Sequence, residues 1–237
     1  MTFPGAFGTS VVTFNESVVA KTGLSFKQAL DAGFEPDTIY LENAQHAEYY
    51  PNAKFIFFKL IFDKKSGKIL GATASGSEGV ARRIDVISTA IYGKMTVFDL
   101  ENLELCYSPS QGSAKDIQNL AGFVASNQIK GEGYGITPEN FLEIYCKDWD
   151  FTLIDVRTKA EYRRYNLDGS VNININELRD NLDKIDIEKP IFVYCAVGFR
   201  GYLATKILRN RGFKAYNILG GIEAVNRFKK IHLRSNR

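Results

Sequence analysis

Ile191-Phe192-Val193-Tyr194-Cys195-Ala196-Val197-Gly198-Phe199-Arg200-Gly201 has the form of a buried strand that ends on a cysteine and turns at once into a helix. Its first four residues are apolar and short enough for a central strand, and Tyr202, Leu203, Ile207 and Leu208 then recur at helical spacing. Cys195 therefore falls in a tight loop at a helix N-terminus. Free N–H groups and the positive end of the helix dipole favour an anion there, so the loop favours a thiolate, the reactive form of cysteine. Gly198 has access to backbone angles closed to other residues and lets a short loop curl its amides toward the sulfur. The competing reading is an inert core cysteine.

Working outward, 237 residues with 45% apolar side chains suit one large or two small domains with real cores. A net charge of +3 with mixed signs and no basic stripe gives no case for nucleic acid. The run Arg227, Lys229, Lys230, Arg234 and Arg237 reads as a solvated tail. Cys106, Cys146 and Cys195 are too few and scattered for a disulfide framework, which points to a reducing compartment. Cys106 and Cys146 carry no motif and read as packing residues, and no metal is expected. Met1 to Gly8 lacks a basic leader, and the apolar run Phe55 to Phe62 is broken by Lys59, so neither a targeting signal nor a membrane span is expected. The expectation is a soluble cytoplasmic protein. Met1 to Val12 reads as an abrupt start into a strand, as in a part of something longer.

The first half reads as α+β. Val11 to Phe14, Thr38 to Leu41, Lys54 to Asp63 and Lys68 to Ala74 are strand candidates, the last two joined by the polar turn Lys64-Lys65-Ser66-Gly67. Ser25-Phe26-Lys27-Gln28 has the form of a helix capping box with a Gly33 stop. Val80, Ile84, Ile87 and Ile91 predict a helix over 80–92, and Thr96-Val97-Phe98-Asp99 another helix start. Gly131 to Gly135 reads as a linker, because no hydrophobic strand leads into those glycines. In the second half Thr137-Pro138-Glu139 starts a helix, Phe151 to Val156 forms a strand, and Thr158 to Glu161 caps a further helix. Strands alternating with helices from Phe151 to Ile218 predict a parallel sheet with helices on both faces.

Cys195-x-x-Gly198-x-Arg200 after a strand, with Asp155-Val156-Arg157 upstream and Gly220-Gly221 downstream, resembles the rhodanese domain of sulfurtransferases. The segments His46 to Pro51, Gly67 to Ala72, Glu78 to Val86 and Ser113 to Asp116 resemble the dimerisation domain of the pyridine nucleotide-disulfide oxidoreductases. Together they are similar to the rhodanese-fused coenzyme A-disulfide and persulfide reductases, from about Gly8 to Phe228. The resemblance implies a dimerisation domain over 1–127 with an antiparallel sheet, a linker over 128–136, and an α/β rhodanese-like domain over 137–237. It also implies a homodimer, an expectation to which the apolar strands between Lys54 and Ala74 add. FAD, NAD(P)H and coenzyme A are implied for the intact relatives. This chain shows no G-x-G-x-x-G between a strand and a helix, so none of these cofactors, and no reductase activity, is expected from it alone.

The resemblance makes Cys195 the carrier of a persulfide sulfur, taken from a small sulfur donor and given to a thiol acceptor. The amides of Ala196, Val197, Gly198, Phe199, Arg200 and Gly201 would steady the charge, with Val197 and Phe199 shaping the mouth. No general base is needed for a preformed thiolate, and both histidines, His46 and His232, lie far from the loop in sequence. Arg200 can be read as reaching an anionic donor, or as pairing with Asp155 or Glu161 to hold the loop; Arg157 and Glu161 carry the same ambiguity. Asn166 to Asn172 stands where the family often has H-I-P-G-A-x-N, without the histidine or the proline. Four residues separate Cys195 from Arg200, one fewer than in the phosphatases of this fold, a cradle suited to sulfur more than to phosphate. Tyr49, Tyr50 and Tyr107 fall where the family places coenzyme A-facing tyrosines, though Gln111 replaces the second tyrosine of Y-x-P-P-Y-S; the alternative is interface packing. A non-catalytic dimerisation and binding module is the competing reading of the whole.

Overall fold

The computed structural model describes residues 5–147 and 149–235, with side chains as far as 230. Residues Met1 to Pro4 of the expected strand start and Arg237 of the basic run lie outside the described residues, and His232 and Arg234 are described as backbone alone. The chain divides into two compact units, up to residue 132 and from 133 onward.

The first unit is built on an antiparallel sheet of β1 (Ser10–Phe14), β2 (Ser17–Gly23), β3 (Pro36–Ala44), β4 (Phe55–Asp63) and β5 (Ile69–Gly76), in the order β1-β2-β5-β4-β3. The Ser25 capping box opens α1 (Phe26–Asp31), and Gly33 ends that segment at φ +83°. Helix α2 (Val80–Tyr92) buries Val80, Ile84, Ile87 and Ala90, as its periodicity predicts. The Thr96–Asp99 capping box opens α3 (Val97–Glu101). Strand β2 and helix α4 (Ile117–Ile129) go beyond the sequence reading. Both bury small or polar side chains, Ala20 and Thr22 in the strand and Asn119, Ala121, Gly122, Ala125 and Ser126 in the helix, so neither shows a strong apolar period. Closeness demands small residues in α4: a Cβ on Gly122 would stand 2.7 Å from Glu101 N and 2.8 Å from Val97 O.

The apolar side chains Ile56, Phe58, Leu60 and Phe62 of β4 and Ile69 and Leu70 of β5 are spent on this unit's own core. Most of the apolar surface on which the expectation drawn from Lys54 to Ala74 rested is thereby buried; Phe55 of β4 stays exposed, as do Val11, Val12 and Phe14 on edge strand β1 and Val19 on β2.

The second unit carries a parallel sheet of β6 (Gly135–Ile136), β7 (Thr152–Asp155), β8 (Ser170–Asn172), β9 (Ile191–Tyr194) and β10 (Ala215–Ile218), ordered β6-β10-β9-β7-β8. Central β9 alternates its side chains between two cores. Ile191, Val193 and Cys195 pack on one face with Ala204 and Leu208 of α7 (Phe199–Arg209). Phe192 and Tyr194 pack on the other with Phe141 and Leu142 of α5 (Pro138–Tyr145) and Ile222 and Val225 of α8 (Gly221–Ser235). Helix α6 (Lys159–Arg164) follows β7, opened by its Thr158–Glu161 capping box.

Three expectations change here. The stretch expected as linker over 128–136 is partly structured, since α4 runs to Ile129 and Gly135–Ile136 pair with β10. The basic run beginning at Arg227 is helix α8, not a tail; Lys229 Nζ lies 4.8 Å from the centre of the Tyr145 ring. Cys106 and Cys146 are exposed, so neither serves packing.

Candidate functional site

Cys195 stands at the C-terminal end of β9, the edge of a parallel sheet where strand-to-helix turns converge. It is 1% exposed. Gly198, the residue before α7, turns back at φ +109° and donates its N–H to Cys195 Sγ at 3.1 Å. That left-handed geometry is open to glycine and strained for other residues. The loop is then clasped from outside: Ile222 N donates to Cys195 O at 2.9 Å, and Glu223 N to Ala196 O at 3.2 Å. The first turn of α8 thus satisfies the loop's carbonyls and leaves the amide side of the loop for the sulfur. Gly221 makes this approach possible, because a Cβ there would lie 2.4 Å from Ala196 O and 2.5 Å from Cys195 O. The Gly220-Gly221 pair is therefore a packing requirement of the cysteine loop.

Charged groups beside the loop are paired. Arg200 Nη1 and Nη2 donate to Glu161 Oε2 and Oε1 at 2.9 and 2.7 Å, a two-pronged contact between α7 and α6. Glu161 Oε2 also accepts from Thr158 N at 3.0 Å and Thr158 Oγ1 at 2.8 Å. The Arg200 guanidinium foremost, with these capping bonds, holds the Glu161 carboxyl down to about 2. Arg200 is held above its usual range first by Glu161, with the Cys195 sulfur contributing. Of the two carboxylates the sequence offered to Arg200, the partner is Glu161. Asp155 belongs to Arg157: its Oδ1 accepts from Arg157 N at 2.9 Å, and its Oδ2 accepts from Arg157 Nη2 at 2.7 Å, in a buried pair.

Sequence reasoning missed the asparagines that set this edge. Asn172 Nδ2 donates to Asp155 O and Arg157 O, both at 3.0 Å, and Asn174 Nδ2 to Arg157 O at 3.3 Å. Buried Asn217 sits under the first turn of α7, close enough that a Cβ on Gly201 would stand 2.4 Å from its Oδ1. A polar residue inside the apolar strand Ala215–Ile218 was the available signal. At the rim, Ala196 and Val197 are half-buried, while Phe199 is 69% exposed.

In the first unit, two of the segments that suggested the dimerisation domain, Glu78 to Val86 and Ser113 to Asp116, meet at one buried ion pair. Arg83 Nη2 and Nε donate to Asp116 Oδ2 and Oδ1 at 2.8 and 3.1 Å, and Arg83 Nη2 also donates to Gln45 O. Ala47 N donates to Pro109 O at 3.2 Å, tying the Tyr49 segment to the Tyr107 segment. The Tyr107 hydroxyl, hydrogen-bonded to that of Tyr49, raises the Tyr49 pKa. Tyr49, Tyr50 and Tyr107 are all exposed, as is Gln111.

An α+β unit with an antiparallel sheet, followed by a parallel-sheet unit with a cysteine loop between strand and helix, defines a two-domain class. Residues 9–116 match the pyridine nucleotide-disulphide oxidoreductase dimerisation domain, and residues 137–227 match the rhodanese-like domain. The reduced Bacillus anthracis CoADR-RHD structure superimposes with a TM-score of 0.88 at 39% identity, covering 94% of this chain and 40% of that one. The NAD-dependent persulfide reductase of A. fulgidus gives 0.84 and 34%, with the same coverage of both chains. The coenzyme A disulfide reductase of Staphylococcus epidermidis is 33% identical over 123 residues, 52% of this chain and 28% of its own length. The chain carries these two domains in the order and fold of the C-terminal part of the rhodanese-fused coenzyme A-disulfide and persulfide reductases, to which it is similar. It spans 40% of the length of the two solved relatives.

Among the described residues, no group of His, Cys, Asp and Glu is arranged to hold a metal ion, and no helix is long and apolar enough to cross a membrane. The turns after β7 and β9 are filled by the Asp155–Arg157 pair and by the cysteine loop. Neither turn fits a dinucleotide phosphate.

Proposed function

We propose that the rhodanese-like unit transfers sulfane sulfur through a persulfide on Cys195, as one portion of a coenzyme A-disulfide or persulfide reductase. The observation that carries this reading is the Gly198 N–H placed on Cys195 Sγ at the start of α7. A thiolate so held attacks the outer sulfur of a donor. A new S–S bond forms, the donor's S–S bond breaks, and its electron pair leaves with the departing group. An acceptor thiolate then attacks the outer sulfur, carries it away and restores Cys195. An amide already fixed on the sulfur, as that of Gly198 is, needs no reorganisation as charge returns to it during the exchange.

In the intact protein the first unit would form a homodimer and join a portion binding FAD and NAD(P)H. The exposed Tyr49–Tyr107 pair would face coenzyme A or the partner subunit. Exposed apolar side chains on β1 and β2 support a covered face, in line with larger domains burying such patches. The competing reading, a binding module with an inert cysteine, draws on the near-complete burial of Cys195. The two separate in an assay of the acceptor's hydropersulfide, trapped by alkylation, after a small sulfur donor and an acceptor thiol are added. Sulfur transfer predicts turnover abolished by Cys195→Ser; equal rates in both proteins would leave the binding module.

A further inference from the structure

The charge around the loop does not match a doubly charged donor. Arg200 is the cation placed to serve an anion beside Cys195, and both its terminal nitrogens are engaged by Glu161. Arg157 is engaged by Asp155. With the sulfur ionised, the two carboxylates and the thiolate carry three negative charges and the two guanidinium groups two positive ones, which leaves the site one charge negative. The rim residues, Ala196, Val197 and Phe199, add apolar surface and no charge.

We propose that Glu161 is a specificity-determining residue: by occupying Arg200 it turns the Cys195 loop away from dianionic donors such as thiosulfate and toward hydropersulfides, whose sulfur pair carries at most one negative charge. This rests on sulfur transfer through Cys195. With a hydropersulfide R–S–SH, the thiolate attacks the terminal sulfur, Cys195–S–SH forms, the R–S bond to that sulfur breaks, and RS⁻ departs with the electron pair. No oxidant or reductant is consumed; the reacting protonated donor meets no repulsion, and its anion brings one charge where thiosulfate brings two. Thiosulfate undergoes the same displacement with sulfite leaving, but two negative charges must enter a site already negative, and like charges within a few ångströms are costly when water is partly excluded. Glu161 is anchored for this task. Thr158 holds Oε2 through both its N–H and its hydroxyl, so the carboxylate stays at the start of α6 and Arg200 comes to it.

The test measures persulfide formation on the full chain by rapid quench, with thiosulfate and with 2-hydroxyethyl hydropersulfide as probes, across a range of salt. The native protein is expected to prefer the hydropersulfide, and its thiosulfate rate should rise with salt as repulsion is screened. Glu161→Gln keeps the shape and can still accept from Thr158 while releasing the Arg200 charge. It should raise the thiosulfate-to-hydropersulfide rate ratio about tenfold, the equivalent of about 1.4 kcal/mol, and reverse the sign of the salt dependence. Glu161→Asp, which keeps the charge, should stay near the native ratio. A purely structural role would slow both donors together and leave the ratio and salt dependence unmoved, which overturns the proposal and leaves sulfur transfer standing. No persulfide from either donor in the native protein would remove both.

Discussion

Replacing Asp155 by alanine should be among the most damaging single changes in the second unit. Its carboxylate is fully buried and holds the backbone N–H and the guanidinium of Arg157, itself 6% exposed. Alanine leaves that guanidinium with Tyr165 O as its remaining bonded partner, without a counter-charge. Deleting one member of a buried pair costs about 3–5 kcal/mol, against a total domain stability of about 5–15 kcal/mol. With a urea dependence of about 2 kcal/mol per molar, the unfolding midpoint should fall by about 2 M. Trp149 is the chain's one tryptophan and lies in the second unit, so its fluorescence in a urea titration reports on that unit. A cycle with Asp155→Leu, Arg157→Met and the double substitution separates pairing from packing. The pairing argument predicts a double variant more stable than Asp155→Leu alone, with coupling of at least about 2 kcal/mol. A midpoint within about 0.3 M of native for Asp155→Ala, or additive single effects, would refute it.

Gly221→Ala should destabilise the second unit more than Gly212→Ala, although both glycines have positive φ, because a Cβ at 221 meets two loop carbonyls and a Cβ at 212 meets nothing within 4 Å. Thermal melts of the two variants isolate that backbone clash from the shared conformational strain. Glu161 is lowered in the folded state from its ordinary 4.5 to about 2, so its contact with Arg200 adds stability above about pH 4.5 and loses it as the pH falls toward 2. Melts of native protein and Glu161→Gln should differ at neutral pH and converge near pH 2; a gap unchanged with pH would contradict the ion-pair account. Cys195→Ala should fold cooperatively, at a cost of about 1 kcal/mol for one missing buried atom. Loss of its unfolding transition would show that the loop depends on the sulfur for its shape.

Much of the second unit was legible because each of its elements is short, apolar and punctuated. Ile191 to Tyr194 reads as a strand since both faces are buried, and Gly198 marks the turn that brings an amide to the sulfur. The capping boxes at Ser25, Thr96 and Thr158 gave helix starts within a residue. What stayed hidden was held by small side chains or by distant partners. The Ala, Gly and Ser face of α4 has little apolar signal, although close approach to α3 depends on it. Asp155 and Glu161 flank the same turn between β7 and α6, and the choice between them as partner of Arg200 turns on which of the two reaches α7, a tertiary fact absent from spacing. Asn174 and Asn217 match no motif, and Asn172 stands on the final asparagine of the H-I-P-G-A-x-N segment without a role that spacing reveals; all three act on backbone or packing contacts at distant positions of the chain. Cys106 and Cys146 were misplaced because the general tendency of free cysteines to be buried carries no positional information.

Sulfur transfer by this chain rests on one atom, the sulfur of Cys195. Native protein treated with a hydropersulfide, alkylated and digested should show a mass gain of one sulfur on the peptide carrying Cys195, with the exposed Cys106 and Cys146 unmodified or modified far more slowly. Sulfur found on the two exposed cysteines and absent from Cys195 would contradict the account.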